Sequence, residues 1–273
     1  MTPPIRKYPR TRHIEGSRLQ AGDDDLGDAV AFAGLVGKLL TVEEKIDGAN
    51  CAVSFDERGE LLLQSRGHYL IGGVREKHFN LLKLWATTHS RAFYETLGSR
   101  YVMYGEWAYA KHTIFYDALP HYFLEFDVLD RETDRFLDTP SRRQLLANLP
   151  VVSVPVICRR AFRTDKELAS LIGDSQFISE GHITRILEFC DAEGISRSTA
   201  WNETDRSRTM EGLYIKLEED GRVTDRFKFV RTTFLQTAID SGTHWLTRPI
   251  IPNRLRYELD VLFLPELPGD DAT

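Results

Sequence analysis

The sequence predicts an α+β domain whose strands are mostly antiparallel. Three observations lead there: short apolar or alternating runs lie toward both ends of the chain, hairpin turns join two pairs of them, and helical periodicity dominates a stretch between. The 273 residues are 42% hydrophobic and 11% aromatic, which suits a packed core and excludes a disordered chain.

Taken in order, the chain opens on a basic segment, Arg6 to Arg18, crosses an acidic patch at 20–28 and becomes apolar from Ala29 to Leu40. Leu39–Ile46, Ala49–Phe55 and Glu60–Ser65 read as strands, the last two joined by the turn Asp56-Glu57-Arg58-Gly59. Val74–Leu97 reads as a helix, because Phe79, Leu82, Trp85, Phe93 and Leu97 fall near a 3.6-residue repeat. Strands Tyr101–Trp107 and Tyr122–Leu129 flank a loop rich in His, Tyr and Lys. Thr139-Pro140 supplies an N-cap and a first-turn proline for a helix over Ser141–Ala147. Val151–Ile157 reads as a strand despite Pro155, Asp165–Ile172 and His182–Ala192 as helices, and Ile195–Thr209 as polar loop. A hairpin of Gly212–Leu217 and Arg222–Val230 follows, joined by Glu218-Glu219-Asp220-Gly221, then a helix over Thr232–Asp240 and a proline-containing tail. The expected organisation is an N-terminal strap and acidic segment (1–38), a main domain (39–232) with a helical insert at about 139–192, and a short extension (233–273).

Charge at first argues against a polyanionic partner, since 35 Lys and Arg face 41 Asp and Glu for a net −6. The acids are segregated, however. Segments 20–28 and 260–273 hold four acids each and no base, so elsewhere 35 bases face 33 acids. Cys51, Cys158 and Cys190 are odd in number and far apart, as expected in a reducing compartment. Neither a membrane span nor a signal-peptide stretch is visible, so a cytoplasmic protein is expected. The histidines show no metal-ligand spacing, and no Walker-type loop or dinucleotide fingerprint is present.

The stretch richest in chemistry is Glu43-Glu44-Lys45-Ile46-Asp47-Gly48-Ala49-Asn50. A lysine at a strand end needs a partner or a proton loss if it is buried. Alone, this pattern fits a solvated strand and turn equally well. It is followed in order by Ser65-Arg66, Tyr104-Gly105-Glu106-Trp107, Leu124-Glu125-Phe126-Asp127-Val128, Glu211-Gly212-Leu213-Tyr214-Ile215-Lys216 and Arg226-Phe227-Lys228. Over roughly 40–232, this ordered set resembles the nucleotidyltransferase motifs shared by ATP-dependent ligases and messenger-RNA capping enzymes. It looks most like the RNA ligase branch that includes phage double-strand RNA ligases and kinetoplastid RNA-editing ligases. The fold so implied is an ATP-grasp-like nucleotidyltransferase domain.

The resemblance implies an ATP-dependent RNA ligase. Lys45 would attack the α-phosphorus of ATP, AMP would pass to an RNA 5′-phosphate, and a 3′-hydroxyl would then displace it. Lys45, Glu106, Glu211 and Lys228 form the implied catalytic set. Glu43 and Asp47 share a strand face with Lys45 and would hold its amine protonated, so the reading calls for Mg²⁺ or Mn²⁺, with Glu211 as the candidate metal ligand. The implied nucleotide-binding set is Glu44, Ile46, Asn50, Arg66, Glu106, Phe126, Lys216, Arg226 and Lys228. Phe126 would stack on adenine or serve as a core aromatic, Arg66 and Glu106 would face ribose and phosphate, and Asn50 would orient the α-phosphate or cap a strand. Lys228 would offset charge at the α-phosphate, with Arg226 and Lys216 as further phosphate contacts. The branch usually carries lysine at Arg226 and often histidine at Asp47. The basic segment Tyr8 to Arg18 reads as a strap near the site or as a solvated tail.

Only 45 residues follow Lys228, too few for the oligonucleotide-binding barrel that DNA ligases and capping enzymes append. RNA ends are the expected partner, with a kinase or phosphatase to heal them. The rival readings are a DNA-end ligase, an adenylyltransferase that stops at the adenylated end, and a noncatalytic RNA-end-binding subunit. The acidic segments should lie away from the Lys45 pocket, whose rim should be positive.

Overall fold

The computed structural model describes residues 3–17, 29–234 and 249–267. Two β-sheets face one another. The first has the order β1-β11-β10-β2-β9, and the second β4-β3-β5-β6-β7 with the short β8 beside β6. In the first sheet β1 is Arg12–His13, β2 Leu40–Lys45, β9 Val156–Arg160, β10 Gly212–Glu219 and β11 Arg222–Val230. The second contains β3 Ala49–Phe55, β4 Leu61–Ser65, β5 Tyr101–Trp107, β6 Phe123–Asp130, β7 Arg135–Phe136 and β8 Val152–Ser153. All pairings are antiparallel except β1 with β11 and β6 with β8. The expected α+β class with mostly antiparallel sheets is the one observed.

Period-two alternation decides what each face of the first sheet does. On one face Leu40, Val42, Leu213, Ile215, Phe227 and Phe229 pack with Ile14, Phe32, Leu35, Phe162 and Leu168 into a closed core. The other face carries Glu43, Lys45, Tyr214, Lys216, Arg226 and Lys228 toward the second sheet, whose strands contribute Trp107, Tyr104 and Phe123 to the larger core that also takes in Trp85. The chain crosses between sheets through Ile46-Asp47-Gly48. That crossing needs glycine, because a Cβ on Gly48 would stand 2.9 Å from the Trp107 carbonyl oxygen and 3.0 Å from Glu106 Cγ.

Local structure departs from expectation at four places, the first being that Asp138 and not Thr139 caps the helix that follows, its carboxylate accepting from Ser141 N–H at 3.0 Å. The span 74–97 is not one helix: a 3₁₀ turn, Val74–Phe79, leads into α1, Asn80–Thr88, and α2, Ser90–Leu97, with His89 out of helical geometry between them. Its imidazole instead meets the Leu262 carbonyl at 2.8 Å. Residues 151–157 are not one strand either. Pro155 separates β8, in the second sheet, from β9, in the first, so the 139–192 stretch is woven into both sheets. That stretch also holds α3, Thr139–Leu146, α4, Asp165–Ala169, and α5, His182–Glu193. Finally, 195–209 includes a helix, α6, Arg197–Asn202, started by Ser196, whose hydroxyl accepts from Thr199 N–H. Sequence polarity hid it because only Ala200 is buried.

The β10–β11 hairpin closes through Asp220 and Gly221, both at positive φ (51° and 77°), as a two-residue turn between Glu219 and Arg222 demands. Residues 249–267 pack over the 108–121 loop and α1. Asn253 accepts from Tyr116 N–H at 2.9 Å and donates to the Ala108 carbonyl at 2.8 Å. The described part of the acidic terminus, 260–267, belongs to this packing, with Leu262 buried against the larger core. Segment 20–28 and most of the expected 232–240 helix lie outside the described residues.

Candidate active site

Lys45 ends β2 at the mouth between the sheets, with a quarter of its side chain exposed. Its Nζ lies 2.7 and 2.8 Å from the two carboxylate oxygens of Glu211, which precedes β10. Burial alone would lower its pKa, but Glu211, Glu106 and Asp47 outweigh that and hold the ammonium above the ordinary lysine value. The same burial acts on the acids. It pushes Glu106 up to about 8 and Glu211 to about 7, although Lys45 opposes both shifts, as Arg66 does at Glu106 and Lys228 at Glu211. The site therefore concentrates acids around one amine, with Arg66 and Lys228 at its edges.

Asp47 turns its carboxylate away from solvent to accept N–H groups of Thr113 and Ile114 at 2.7 and 2.8 Å, and its own N–H donates to the Tyr116 hydroxyl. It thereby fastens the 108–121 loop under the Lys45 strand end. Asn50 in β3 pairs directly with Glu106 in β5, and its buried Oδ1 has no hydrogen-bond partner. An orphaned acceptor opposite Glu106, an acid of raised pKa, fits a ligand that brings donors or positive charge. Among the described residues no three His, Cys, Asp or Glu side chains gather tightly enough to hold a metal unaided. Glu211, a hard oxygen donor beside Lys45, therefore fits a cation that takes its other oxygens from phosphates and water.

Phe126 sits at a β-bulge, where Tyr104 faces Asp127 and Gly105 faces Glu125. Its ring lies in the inter-sheet layer, edge-on to Tyr8 (centroids 5.0 Å) and tilted against Tyr214 (6.1 Å). Arg66, just beyond β4, is exposed on the Glu106 side.

Four members of the expected nucleotide set lie elsewhere. Lys216 is fully buried, 2.9 Å from Glu43 and 3.0 Å from Asp127, and also donates to the Phe126 carbonyl. Arg226 lies over Phe136, its guanidinium carbon 3.9 Å from the ring centroid, with Nε 3.8 Å from Asp127. Both cations take part in the inter-sheet charge network, although the buried Arg226 Nε makes no hydrogen bond within the protein. Glu44 points to the opposite side of β2 from Lys45, where burial raises its pKa to about 7 and a Ser175 hydrogen bond partly offsets this. Ile46 is a core residue, 4% exposed, which leaves only its backbone for a ligand. Sequence reasoning missed the partners of that network: Glu43 and Glu125, both held by the fully buried Arg142, and Tyr8, whose hydroxyl donates to Asp127. The signal was present as acids alternating on β6 and cations alternating on β11, each of which reads as a solvent face when taken singly.

Segment 3–17 bridges the sheets. The Arg6 carbonyl accepts from Gln64 and Tyr104 of the second sheet, at 2.8 and 2.7 Å, while Arg12 and His13 pair with Phe227 and Lys228 of the first. Within this segment Tyr8 points into the inter-sheet layer and Arg12 pairs with Asp225 at 2.6 Å.

With that geometry in view, comparison with known proteins is informative. A model of the RNA ligase family matches residues 38–230. Among solved structures, a glutamate-to-alanine mutant of a Naegleria gruberi RNA ligase with ATP and Mn superposes with a TM-score of 0.54 at 16% identity, covering 86% of this chain and 59% of that one. A second glutamate-to-alanine mutant of that ligase, with AMP and Mn, gives the same values, and a lysine-to-alanine mutant with ATP and Mn gives 0.52 at 16%, over 88% and 64%. At such identity the likeness establishes the fold, and the chain spans about three-fifths of the length of those ligases. No curated protein sequence matches. Among the described residues, no helix is long and apolar enough to cross a membrane.

Proposed function

The chain belongs to the RNA ligase family, and on that premise we propose that it is an ATP-dependent RNA ligase that works through a covalent lysyl-AMP at Lys45. The observation that carries this reading is the Lys45–Glu211 clamp: a single amine at the mouth of the inter-sheet cleft, ringed by Glu106, Glu211 and Asp47. ATP or AMP with Mn in the solved Naegleria ligase mutants supports ATP and a divalent cation here.

In the first step the Lys45 ammonium gives up one proton to solvent, its Nζ forms a bond to the α-phosphorus and releases a second proton, and the bond from that phosphorus to the α–β bridging oxygen breaks to release pyrophosphate. A divalent cation, when bound, supplies positive charge that offsets the triphosphate and favours the neutral amine. Glu211 holds Lys45 in place beforehand and is freed once the amine becomes a phosphoramidate. Lys228 supplies fixed positive charge toward the α-phosphate, and Glu106, raised to about 8, can accept from or donate to ribose hydroxyls near neutral pH. Phe126 offers the aromatic surface for adenine. In the second step an oxygen of the RNA 5′-phosphate attacks the adenylate phosphorus and Lys45 leaves. In the third, a 3′-hydroxyl attacks the 5′-phosphorus, loses its proton and expels AMP.

The substrates are RNA ends, and RNA repair in the cytoplasm beside an end-healing kinase or phosphatase is the setting this chemistry suits. The organisation proposed is a main domain at 39–232 with terminal segments that strap and cover it. The test is sealing of a 5′-phosphate RNA strand to a 3′-hydroxyl RNA strand with ATP and Mg²⁺, run beside the matching DNA strands. RNA joining with AMP release is expected. DNA joining alone, or accumulation of adenylated ends without sealing, overturns the proposal in favour of its rivals.

A further inference from the structure

The segment expected to be loop, 195–209, carries an exposed aromatic that the reaction above does not use. Three tryptophans lie among the described residues; Trp85 and Trp107 are buried, whereas Trp201 is 41% exposed. Its neighbour Ala200 anchors α6 in a small core with Phe115, Ile186, Cys190 and Ile251, which turns Trp201 and Asn202 outward. The guanidinium carbon of Arg206, also exposed, stands 4.8 Å from the Trp201 ring centroid. A planar cation on an exposed indole makes a flat, positively charged surface with two stacking groups.

This surface is fastened to the Lys45 pocket. Asp205 N–H donates to the Thr113 carbonyl at 2.8 Å, and Thr113 N–H donates to Asp47 at 2.7 Å. The Asp205 carboxylate pairs with Arg231, whose own N–H and Nε donate to the carbonyls of Glu211 and Met210 at 3.2 and 2.8 Å. The residue beside Arg206 is thus tied through one intermediary to Asp47 and through another to Glu211. The adjacent acids Glu203 and Asp205 are buried, which leaves the cation as the exposed charge beside the indole.

We infer that Trp201 and Arg206 form a stacking platform for an unpaired base of the RNA strand next to the ligation junction. This rests on the RNA ligase reading and adds to it a substrate class: ends with at least one unpaired nucleotide. An indole face accepts any base, and the guanidinium can also meet the adjoining phosphate, so the recognition is of single-stranded character and not of sequence.

The experiment compares wild type, Trp201→Ala, Trp201→Phe and Arg206→Ala. Adenylation with ATP and Mg²⁺ in the absence of RNA is measured first, then AMP transfer to a 5′-phosphorylated RNA with unpaired junction nucleotides and to a fully paired nick. Trp201→Ala is expected to adenylate normally and to raise KM for the unpaired RNA about 5- to 100-fold, with Phe recovering most of the loss and the paired nick little affected. An unchanged KM, or equal losses in adenylation and transfer, overturns the inference. If wild type forms no adenylate, the ligase reading fails instead. Anisotropy of a labelled single-stranded RNA then still decides, since binding equal in wild type and Trp201→Ala rejects the platform and would leave this face to a protein partner.

Discussion

Replacing Lys216 by methionine separates two roles for this residue. As a phosphate contact, its loss would weaken ATP use and leave the fold intact. The structure instead buries it completely between Glu43 at 2.9 Å and Asp127 at 3.0 Å, with the Phe126 carbonyl as a third partner. Breaking a buried pair by removing one member costs about 3–5 kcal/mol, because the remaining charge keeps its desolvation penalty and loses its compensation. Arg142 still neutralises Glu43 and Glu125, so the lower end of that range, about 3 kcal/mol, is the better figure for this site. For a domain of this size, each kcal/mol shifts the midpoint by about 2–4 °C, so Lys216→Met should lower Tm by roughly 6–12 °C. Thermal unfolding followed by circular dichroism reads this directly. Adenylation assayed well below the lowered Tm should stay within a few-fold of wild type. A Tm within about 2 °C of wild type together with lost adenylation would refute the placement and return Lys216 to the phosphate.

Two further outcomes follow from the geometry. Glu106 has a folded pKa of about 8 against an ordinary value of 4.5, so the folded protein holds a proton that the unfolded chain releases, and stability falls as pH rises through that window. Glu106→Gln should therefore match wild-type Tm near pH 4.5, exceed it increasingly up to about pH 8 and hold a constant margin above; a margin that does not change with pH contradicts the burial of this acid. Gly48→Ala should slow adenylation about 10- to 100-fold, because its Cβ drives into the Trp107 carbonyl and Glu106 Cγ beside Lys45, and wild-type single-turnover rates in that variant would show that the crossing has slack.

How much the sequence revealed depended on whether a residue's signal was local. The strands from Leu40 to Ser65 and the 212–230 hairpin were legible because alternation and turn residues specify them without reference to the rest of the chain. The break at His89 was not, since it answers to the Leu262 carbonyl 173 residues away. Likewise, the two halves of 151–157 belong to different sheets, and only the sheets' separation explains why Pro155 is tolerated between them. In the site, Glu106 and Glu211 stand around Lys45, and Asn50 lies opposite Glu106. Lys216 and Arg226 carried the same motif signal yet are claimed by Asp127, Glu43 and Phe136. A strand face of alternating charges looks solvated in one dimension, and it takes the opposing sheet to show that the charges are each other's partners.

Every later step depends on covalent adenylation of Lys45, which a mass map of protein treated with ATP and Mg²⁺ reads out. An AMP adduct is expected on the peptide that carries Lys45, acid-labile as a phosphoramidate is, and absent from folded Lys45→Ala and Lys45→Arg. An adduct on any other lysine, or one that persists in those variants, would contradict it.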